Sequence, residues 1–200
     1  MPITLKKTMN KVILLILMCL FIFNCNAQDT SGTYDKSSRV EPKANMIRVG
    51  FGPGIVTSKI VFYNRVYENS IMYSLAADYE HVWDTGFGFG VNLSQNYLSE
   101  SGNNVFYAGA SFVMAHTTDK GWRWETALGL GYATNDFGVE GSKHGVGSLL
   151  LLGVTYKISN HWGIGADLRT LVSRYHKPEG WADNYGVRHY NASLGIGYLF

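Results

Sequence analysis

The feature that most constrains the fold is an alternation of side-chain types with a period of two, which is clearest in residues 187–200. Every second position there is apolar: Tyr190, Ala192, Leu194, Ile196, Tyr198 and Phe200. The positions between them are polar or very small: His189, Asn191, Ser193, Gly195 and Gly197. Because successive side chains of a strand point to opposite faces, one face is apolar and the other has little bulk. This pattern is typical of a barrel strand with its apolar side toward lipid and its small side toward a narrow, polar lumen.

The same alternation occurs eight times along the chain. The segments are 47–52, 71–80, 87–94, 106–114, 122–132, 146–157, 162–169 and 187–200. Segment 146–157 is the least regular, because Leu149 and Leu151 fall on the row that otherwise holds glycine and polar residues. A tilted strand needs about 9–11 residues to cross the apolar layer of a membrane, and most of the segments approach this length. We therefore predict eight membrane-spanning strands.

The connections between these segments indicate how the strands are arranged. They fall near 57–70, 83–86, 98–104, 117–121, 135–145, 159–161 and 173–186, so that long and short connections alternate. After the N-terminal segment no apolar run exceeds four residues, whereas a spanning helix needs about 20. Strands cross lipid only as a closed barrel. The sequence thus predicts an all-β, eight-stranded antiparallel up-and-down transmembrane β-barrel with short periplasmic turns; a soluble secreted barrel is the alternative.

The N-terminal residues 1–27 have the pattern of a signal peptide. Three lysines precede an apolar run, residues 12–23, which is too short to span a bilayer as a helix. Cys25-Asn26-Ala27 places small residues where a signal peptidase acts, so we expect cleavage after Ala27; a lipoprotein site at Cys25 is the alternative. Residues 28–45 are polar and are predicted to form a flexible periplasmic arm, and residues 46–200 the barrel.

Several classes of site are excluded once the predicted leader is removed. Both cysteines, Cys19 and Cys25, lie in it, so disulfides, thiolate metal sites and cysteine nucleophiles are not expected. The leader also holds three of the seventeen basic residues, which leaves fourteen against fifteen acidic ones and gives no reason to expect nucleic acid as a partner. The chain shows no histidine pairs at metal spacing and no phosphate-binding glycine loop. We expect no metal and no cofactor.

Charged residues are concentrated on the inward rows. The set is Arg48, Asp78, Glu80, Arg123, Glu125 and Lys157 toward the periplasmic end, with Asp167, Arg169 and His189 further out. An unpaired charge in a narrow, low-dielectric tube costs on the order of several kcal/mol. We therefore expect the charged residues, with Asp167 and Arg169, to form a neutral ion-pair network that closes the lumen, and the inward glycines to make room for it. The alternative is a small pore or a ligand-transport barrel.

The chain resembles a known family on these features together. The eight-strand pattern, the leader ending in Asn26-Ala27-Gln28 and the terminal Tyr198-Leu199-Phe200 are similar to small outer-membrane β-barrel proteins of Gram-negative bacteria. The likeness is to the OmpA and OmpX type of barrel, in the form common in Bacteroidetes, and covers residues 46–200. It implies a location in the outer membrane. It also implies that Tyr198 and Phe200 carry the signal read by the outer-membrane insertion machinery. Unlike in the full OmpA architecture, we expect no peptidoglycan-binding domain after the barrel.

The resemblance also bears on catalysis, because two kinds of barrel enzyme act on lipid A. The deacylase kind has His and Ser two residues apart, whereas His189-Tyr190-Asn191 has asparagine in that place. Asp167 and His189 could imitate part of a catalytic triad, but no serine can be placed beside them. The palmitoyl-transferase kind begins with an amphipathic helix, which residues 28–45 do not show. We expect no enzyme activity.

The predicted outer loops combine cations and aromatic residues. They are Lys59, Phe62, Tyr63, Arg65, Tyr67 and Glu68 in the first, and Arg174, Tyr175, His176, Lys177, Glu179 and Trp181 in the last. This mixture suits contact with sugars or with lipopolysaccharide phosphates, although the loops could instead pack on themselves. We expect a monomeric barrel with a structural or surface-interaction role, in contact with outer-membrane lipid and lipopolysaccharide.

Overall fold

The structure, a computed structural model, describes residues 45–58, 60–62, 65–67, 70–99, 102–136, 141–176 and 186–200. The predicted leader and nearly all of the predicted arm lie outside these residues. The side chains of residues 59–69, in the first long loop, and residues 177–185, in the last long loop, also lie outside the described residues. Asn45, which we assigned to the arm, is the first residue of a strand.

The described residues form ten strands. They are β1 (Asn45–Val56), β2 (Ile60–Phe62), β3 (Arg65–Tyr67), β4 (Ile71–Val82), β5 (Phe87–Leu98), β6 (Asn104–Thr117), β7 (Trp122–Asp136), β8 (Ser142–Lys157), β9 (Trp162–Tyr175) and β10 (Gly186–Leu199). Eight of them close into one barrel in the order β1-β10-β9-β8-β7-β6-β5-β4, and β2 pairs with β3 in the first long loop. The predicted eight-stranded antiparallel up-and-down barrel is confirmed. Within the described ranges no helix is long and apolar enough to cross a membrane.

The barrel is closed by antiparallel pairing of β1 with both β4 and β10. Arg48 is the register partner of Asp78 on β4 and of Gly197 on β10. The β1–β10 pairing extends to Phe200: Asn45 N donates to Phe200 O at 3.1 Å, and Phe200 N donates to Asn45 O at 3.0 Å. Every barrel strand therefore has two hydrogen-bonded neighbours, and the sheet has no free edge that would expose backbone groups to lipid.

The two faces of the barrel wall have opposite characters. Outward residues are large and apolar, and Leu194 at the middle of β10 is 74% exposed. Inward residues include charged side chains, and Arg48 is 1% exposed. The irregular pair Leu149 and Leu151 does point inward, as its place in the alternation indicated. A soluble protein would bury the apolar face, so this distribution is that of a barrel surrounded by lipid.

The two ends of the barrel differ in their connections. At one end, which we call the short-turn end, β4 connects to β5, β6 to β7 and β8 to β9 through residues 83–86, 118–121 and 158–161. Gly86 and Gly121 in two of these turns have a φ of 83°, a conformation that costs little only for glycine. The opposite end, the long-loop end, carries residues 57–70 and 176–185.

Two connections at the long-loop end are shorter than predicted. They comprise residues 99–103 and 137–141, whereas the alternation suggested 98–104 and 135–145. The difference arises mainly because β8 begins at Ser142, four residues before the predicted segment. Ser142, Lys143 and His144 are all polar, so this part of the strand shows no contrast between its two faces.

Aromatic side chains form a ring at each end of the outer surface. At the short-turn end the exposed residues are Trp83, Phe87, Trp122, Trp124, Tyr156, Trp162, Tyr198 and Phe200. At the long-loop end they are Tyr73, Tyr97, Tyr132 and Tyr190. Amphipathic rings are favoured where lipid meets water, so the two rings mark the two boundaries of the apolar band.

Replacing Leu194 by arginine tests whether the outer surface faces lipid. Leu194 lies midway between Tyr190 and Tyr198, so we expect L194R to lower the free energy of unfolding by about 2–4 kcal/mol. Urea unfolding of the purified barrel in lipid vesicles measures the loss, with L194M as the matched control. Equal stability of L194R and L194M would mean that this face is in water.

Candidate functional site

The lumen gathers seven charged side chains from four strands. We call the following set the lumen cluster: Arg48 on β1, Asp78 and Glu80 on β4, Arg123 and Glu125 on β7, and Asp167 and Arg169 on β9. Each is no more than 3% exposed. In the strand order of the barrel, β7 lies four places from β1 in either direction, so β1 and β7 face each other across the lumen. The cluster therefore spans the full width of the interior.

Arg48 is the centre of the cluster. Its guanidinium group pairs with Glu125 on the opposite wall, through Nη1 and Oε1. It also lies 3.2 Å from Asp78, 3.7 Å from Glu80 and 3.8 Å from Asp167. One side chain thus contacts all four carboxylates of the cluster. Multiple contacts of this kind are needed to offset the desolvation of a buried charge.

The other two arginines complete the network on either side of Arg48. Arg123 Nη2 lies 3.0 Å from Glu80 Oε2, and its Nε lies 3.6 Å from Glu125 Oε2. Arg169 forms two hydrogen bonds to Asp78, at 2.6 and 3.0 Å, and two to Asp167, at 2.7 and 3.1 Å. Paired N–H donors on one carboxylate are among the stronger ion-pair geometries.

Two neutral side chains anchor the carboxylates. Asn92 Nδ2 donates to Asp78 Oδ1 at 2.9 Å, and Ser193 Oγ donates to Asp167 Oδ1 at 2.6 Å. These hydrogen bonds use inward positions of β5 and β10, so six of the eight barrel strands contribute to the cluster or its anchors. The lumen cluster ties the walls together as well as filling the space between them.

The structure places two parts of the predicted network more closely. Asp167 and Arg169, expected further out, lie in the cluster, because the strands of a closed barrel are staggered and tilted. Lys157 is half-buried at the end of β8, at the rim of the short-turn end. The ion pairs described above join three guanidinium groups and four carboxylates. The equal balance of charges that we expected includes Lys157, whose place in the network stays a prediction.

Glycine makes room for the cluster on β8. A Cβ atom at Gly153 would lie 2.5 Å from Glu125 Oε1 and 2.8 Å from its Cγ. Glu125 is held by Arg48, so its side chain has little freedom to move aside. The steric role expected for the inward glycines therefore applies at Gly153.

A second layer, which the sequence did not reveal, fills the lumen toward the long-loop end. It is a cluster of buried apolar residues: Val56, Met72, Leu98, Val105, Tyr107, Ala133, Leu149, Leu171, Tyr175 and Val187. The ring of Tyr107 lies over Gly147, where a Cβ atom would be 2.8 Å from Tyr107 Cδ2. Leu149, the inward leucine in the least regular segment, belongs to this layer and was a sign of it in the sequence.

The partial triad considered for Asp167 and His189 is not formed. The Asp167 carboxylate is bonded by Arg169 and Ser193. His189 is buried on β10 toward the long-loop end, and neither ring nitrogen has a hydrogen-bond partner in the described part of the chain. Nor do the described residues contain a group of three or more side chains suited to hold a metal ion.

Comparisons with known proteins show the class of fold. No protein-family model matches the chain, and a search of curated proteins found no match. Among solved structures, the chain is similar to the Neisserial surface protein A, with a TM-score of 0.59 and 16% identity over 78% of this chain and 97% of that one. It is also similar to the outer-membrane enzyme PagL, with a TM-score of 0.50 and 15% identity over 78% of this chain and 99% of that one.

These likenesses support the general resemblance to small outer-membrane barrels. At this level of identity they show the fold alone, a closed eight-stranded antiparallel barrel of the outer-membrane kind. One of these two similar structures is of a surface protein and the other of an enzyme, so the fold does not select a function. The finer likeness to OmpA-type barrels of Bacteroidetes stays a prediction.

Removing the central arginine tests the energetic role of the cluster. R48M leaves four buried carboxylates with two guanidinium groups, and we expect it to lower the free energy of unfolding by about 3–5 kcal/mol. K157M, at the rim, should cost about 1 kcal/mol or less. Urea unfolding in lipid vesicles measures both.

A double variant isolates the pair across the lumen. R48M/E125Q should be more stable than the sum of its single variants predicts, by about 0.5–3 kcal/mol, because the two residues are in direct contact. Strict additivity would show that Arg48 and Glu125 are not coupled.

Proposed function

We propose that this chain is an outer-membrane β-barrel protein with a structural or surface-interaction role and a closed lumen. The observation that carries the proposal is the filling of the lumen by two successive layers, the lumen cluster and the apolar layer beyond it. Eight strands enclose an interior just wide enough for side chains to fill it. A conducting path along the axis would have to pass both layers.

The lumen cluster opposes opening because its charges are already paired with one another. An ion that entered would have to separate Arg48 from Glu125, which connect opposite walls. Breaking a buried pair leaves an uncompensated charge, with a penalty of about 3–5 kcal/mol. The apolar layer adds a second obstruction, because its buried side chains fill the lumen beyond the cluster. These two properties support a closed barrel.

The proposed orientation follows from the connections. In barrels of this fold the short turns face the periplasm and the long loops face the outside, so the short-turn end is assigned to the periplasm. Both Asn45 and Phe200 lie at that end. Tyr198 and Phe200 are outward and stacked, with ring centroids 5.9 Å apart, and we propose that they carry the insertion signal. Membrane lipid, lipopolysaccharide and the insertion machinery are the proposed partners of a monomer.

The alternative function is a small cation-selective pore. It is favoured by one observation, the excess of carboxylates over guanidinium groups in the lumen cluster. Oxygen atoms of two of these carboxylates, Glu80 Oε1 and Glu125 Oε2, have no hydrogen-bond partner in the residues that the structure describes. A rearrangement that freed the carboxylates would line the lumen with negative charge.

Planar-bilayer recording distinguishes the closed barrel from the pore. We expect the wild type to show no stable open channel, because both layers obstruct the axis. For E125K the closed-barrel proposal predicts loss of folding without a change in ion selectivity, whereas a pore would fold and become less selective for cations. D84K, at an exposed turn, is the control for added charge. A large, stable conductance in the wild type would refute the closed lumen.

Cysteine labelling tests the location and the orientation. The only cysteines are Cys19 and Cys25 in the predicted leader, so a processed barrel with S142C or D84C carries one thiol. A membrane-impermeant maleimide added to intact cells should label S142C at the long-loop end and leave D84C unlabelled until the cells are lysed. Labelling of D84C alone in intact cells would reverse the orientation, and labelling of neither before lysis would contradict surface exposure.

A further inference from the structure

Among the described residues, the outward arginines and histidines of the long-loop end lie on one side of the barrel. Four neighbouring residues, which we call the basic rim patch, lie on or next to β8, β9 and β10: His144, Arg174, His176 and Arg188. The described outward positions at the corresponding ends of β1, β4, β5 and β6 are uncharged: Ile55, Thr57, Ile71, Tyr73, Tyr97, Ser99, Asn104 and Phe106. Asp136, at the end of β7, borders the patch. Within the described part of the rim, the arginines therefore lie on the β9–β10 side.

The strand register brings the two arginines together. Arg174 on β9 is the partner of Gly186 on β10, and Arg188 is the partner of Val172 on β9. The two arginines are therefore diagonal neighbours on one face, about 7–8 Å apart at the backbone, within reach of long side chains. Gly186, the register partner of Arg174, has no side chain to stand between the two arginines. A single anionic group of a ligand can therefore contact both arginines.

Backbone hydrogen bonds hold this part of the rim in place. Arg188 N donates to Ser58 Oγ at 3.0 Å, and Arg188 O accepts from Thr57 N at 3.0 Å. On the other side of the patch, His176 N donates to His144 O at 3.4 Å. A site whose backbone is fixed before binding loses less entropy when a ligand arrives.

The height of the patch indicates the environment that it meets. Tyr190 and Tyr132 belong to the aromatic ring at this end, and Arg188 is the next outward residue beyond Tyr190. His144 Nδ1 lies 2.5 Å from the hydroxyl group of Tyr132. Tyrosine rings lie where the apolar layer meets the headgroups, so residues just beyond them are at headgroup level. Arginine binds phosphate through two parallel N–H donors, a geometry that a single point charge does not provide.

We propose that the basic rim patch binds the phosphate of an anionic lipid headgroup in the outer leaflet, between Arg174 and Arg188. The inference rests on the proposed outer-membrane location. The acyl chains of the lipid lie against the apolar surface directly below the patch, formed by Leu150, Val172 and Leu168. The barrel thus holds a phosphorylated lipid on the β8–β10 side.

Native mass spectrometry of the purified barrel in detergent tests this site. The probes are lipid A with two phosphates, lipid A with one phosphate, and phosphatidylethanolamine. We expect the wild type to retain them in that order, and R174Q/R188Q to lose retention of the two-phosphate form by about tenfold or more, since two charge-assisted contacts are removed. K120Q, which removes an exposed cation at the short-turn end, is the matched control and should behave as the wild type.

Each other outcome counts against the site or against its lipid occupant. Equal retention by R174Q/R188Q and the wild type, or equal loss in K120Q, overturns the site. Complete displacement of the lipid by millimolar inorganic phosphate shows recognition of phosphate without the lipid and overturns the lipid part. Heat-modifiable gel migration confirms that each variant is folded. A barrel that labels as predicted on cells but shows no preference among the lipids refutes this inference alone, whereas failed labelling refutes the proposed location.

Discussion

The structure depends on one constraint, that every backbone N–H and C=O group in the wall must be bonded to a neighbouring strand. The pairing of β1 with β10 meets it by joining the first described residue to the last. Without that seam, two strands would expose unpaired groups to lipid, at several kcal/mol for each group on the order-of-magnitude scale of apolar transfer. Closure has two consequences. The outer surface faces lipid and must be apolar, and the interior is so narrow that each inward side chain contacts another.

The interior changes in character along the axis. The lumen cluster lies in the half nearer the short turns, beside a small apolar cluster of Val82, Val113, Ala115, Ala127 and Leu151, and the larger apolar layer lies in the half nearer the long loops. The two layers fill the narrow lumen in different ways. The charged layer fixes which strands face one another through directional bonds, whereas the apolar layer needs only matching volumes, as where Tyr107 occupies the space left by Gly147.

Much of the fold could be predicted because the alternation of side chains records the two faces of the wall directly. The opposition of Arg48 and Glu125 also follows from order alone, since the first and fifth strands of any eight-stranded up-and-down barrel face each other. The position of Arg169 along the barrel axis, next to Asp78, could not be predicted. It depends on the stagger of the strands, which no local pattern encodes. The polar start of β8 was missed for a simpler reason: Ser142, Lys143 and His144 give both faces the same character.

The contacts of the lumen cluster have a consequence for the order of events in folding. They join residues far apart in the chain, 30 positions for Arg48 and Asp78, 77 for Arg48 and Glu125, and 91 for Asp78 and Arg169. The first contact joins neighbouring strands, whereas the other two join strands three or four places apart in the barrel and so form only when most of the wall is assembled. Interactions absent from the transition state slow unfolding without speeding folding. We therefore expect the arginines to slow the unfolding of the closed barrel and to have little effect on its rate of folding.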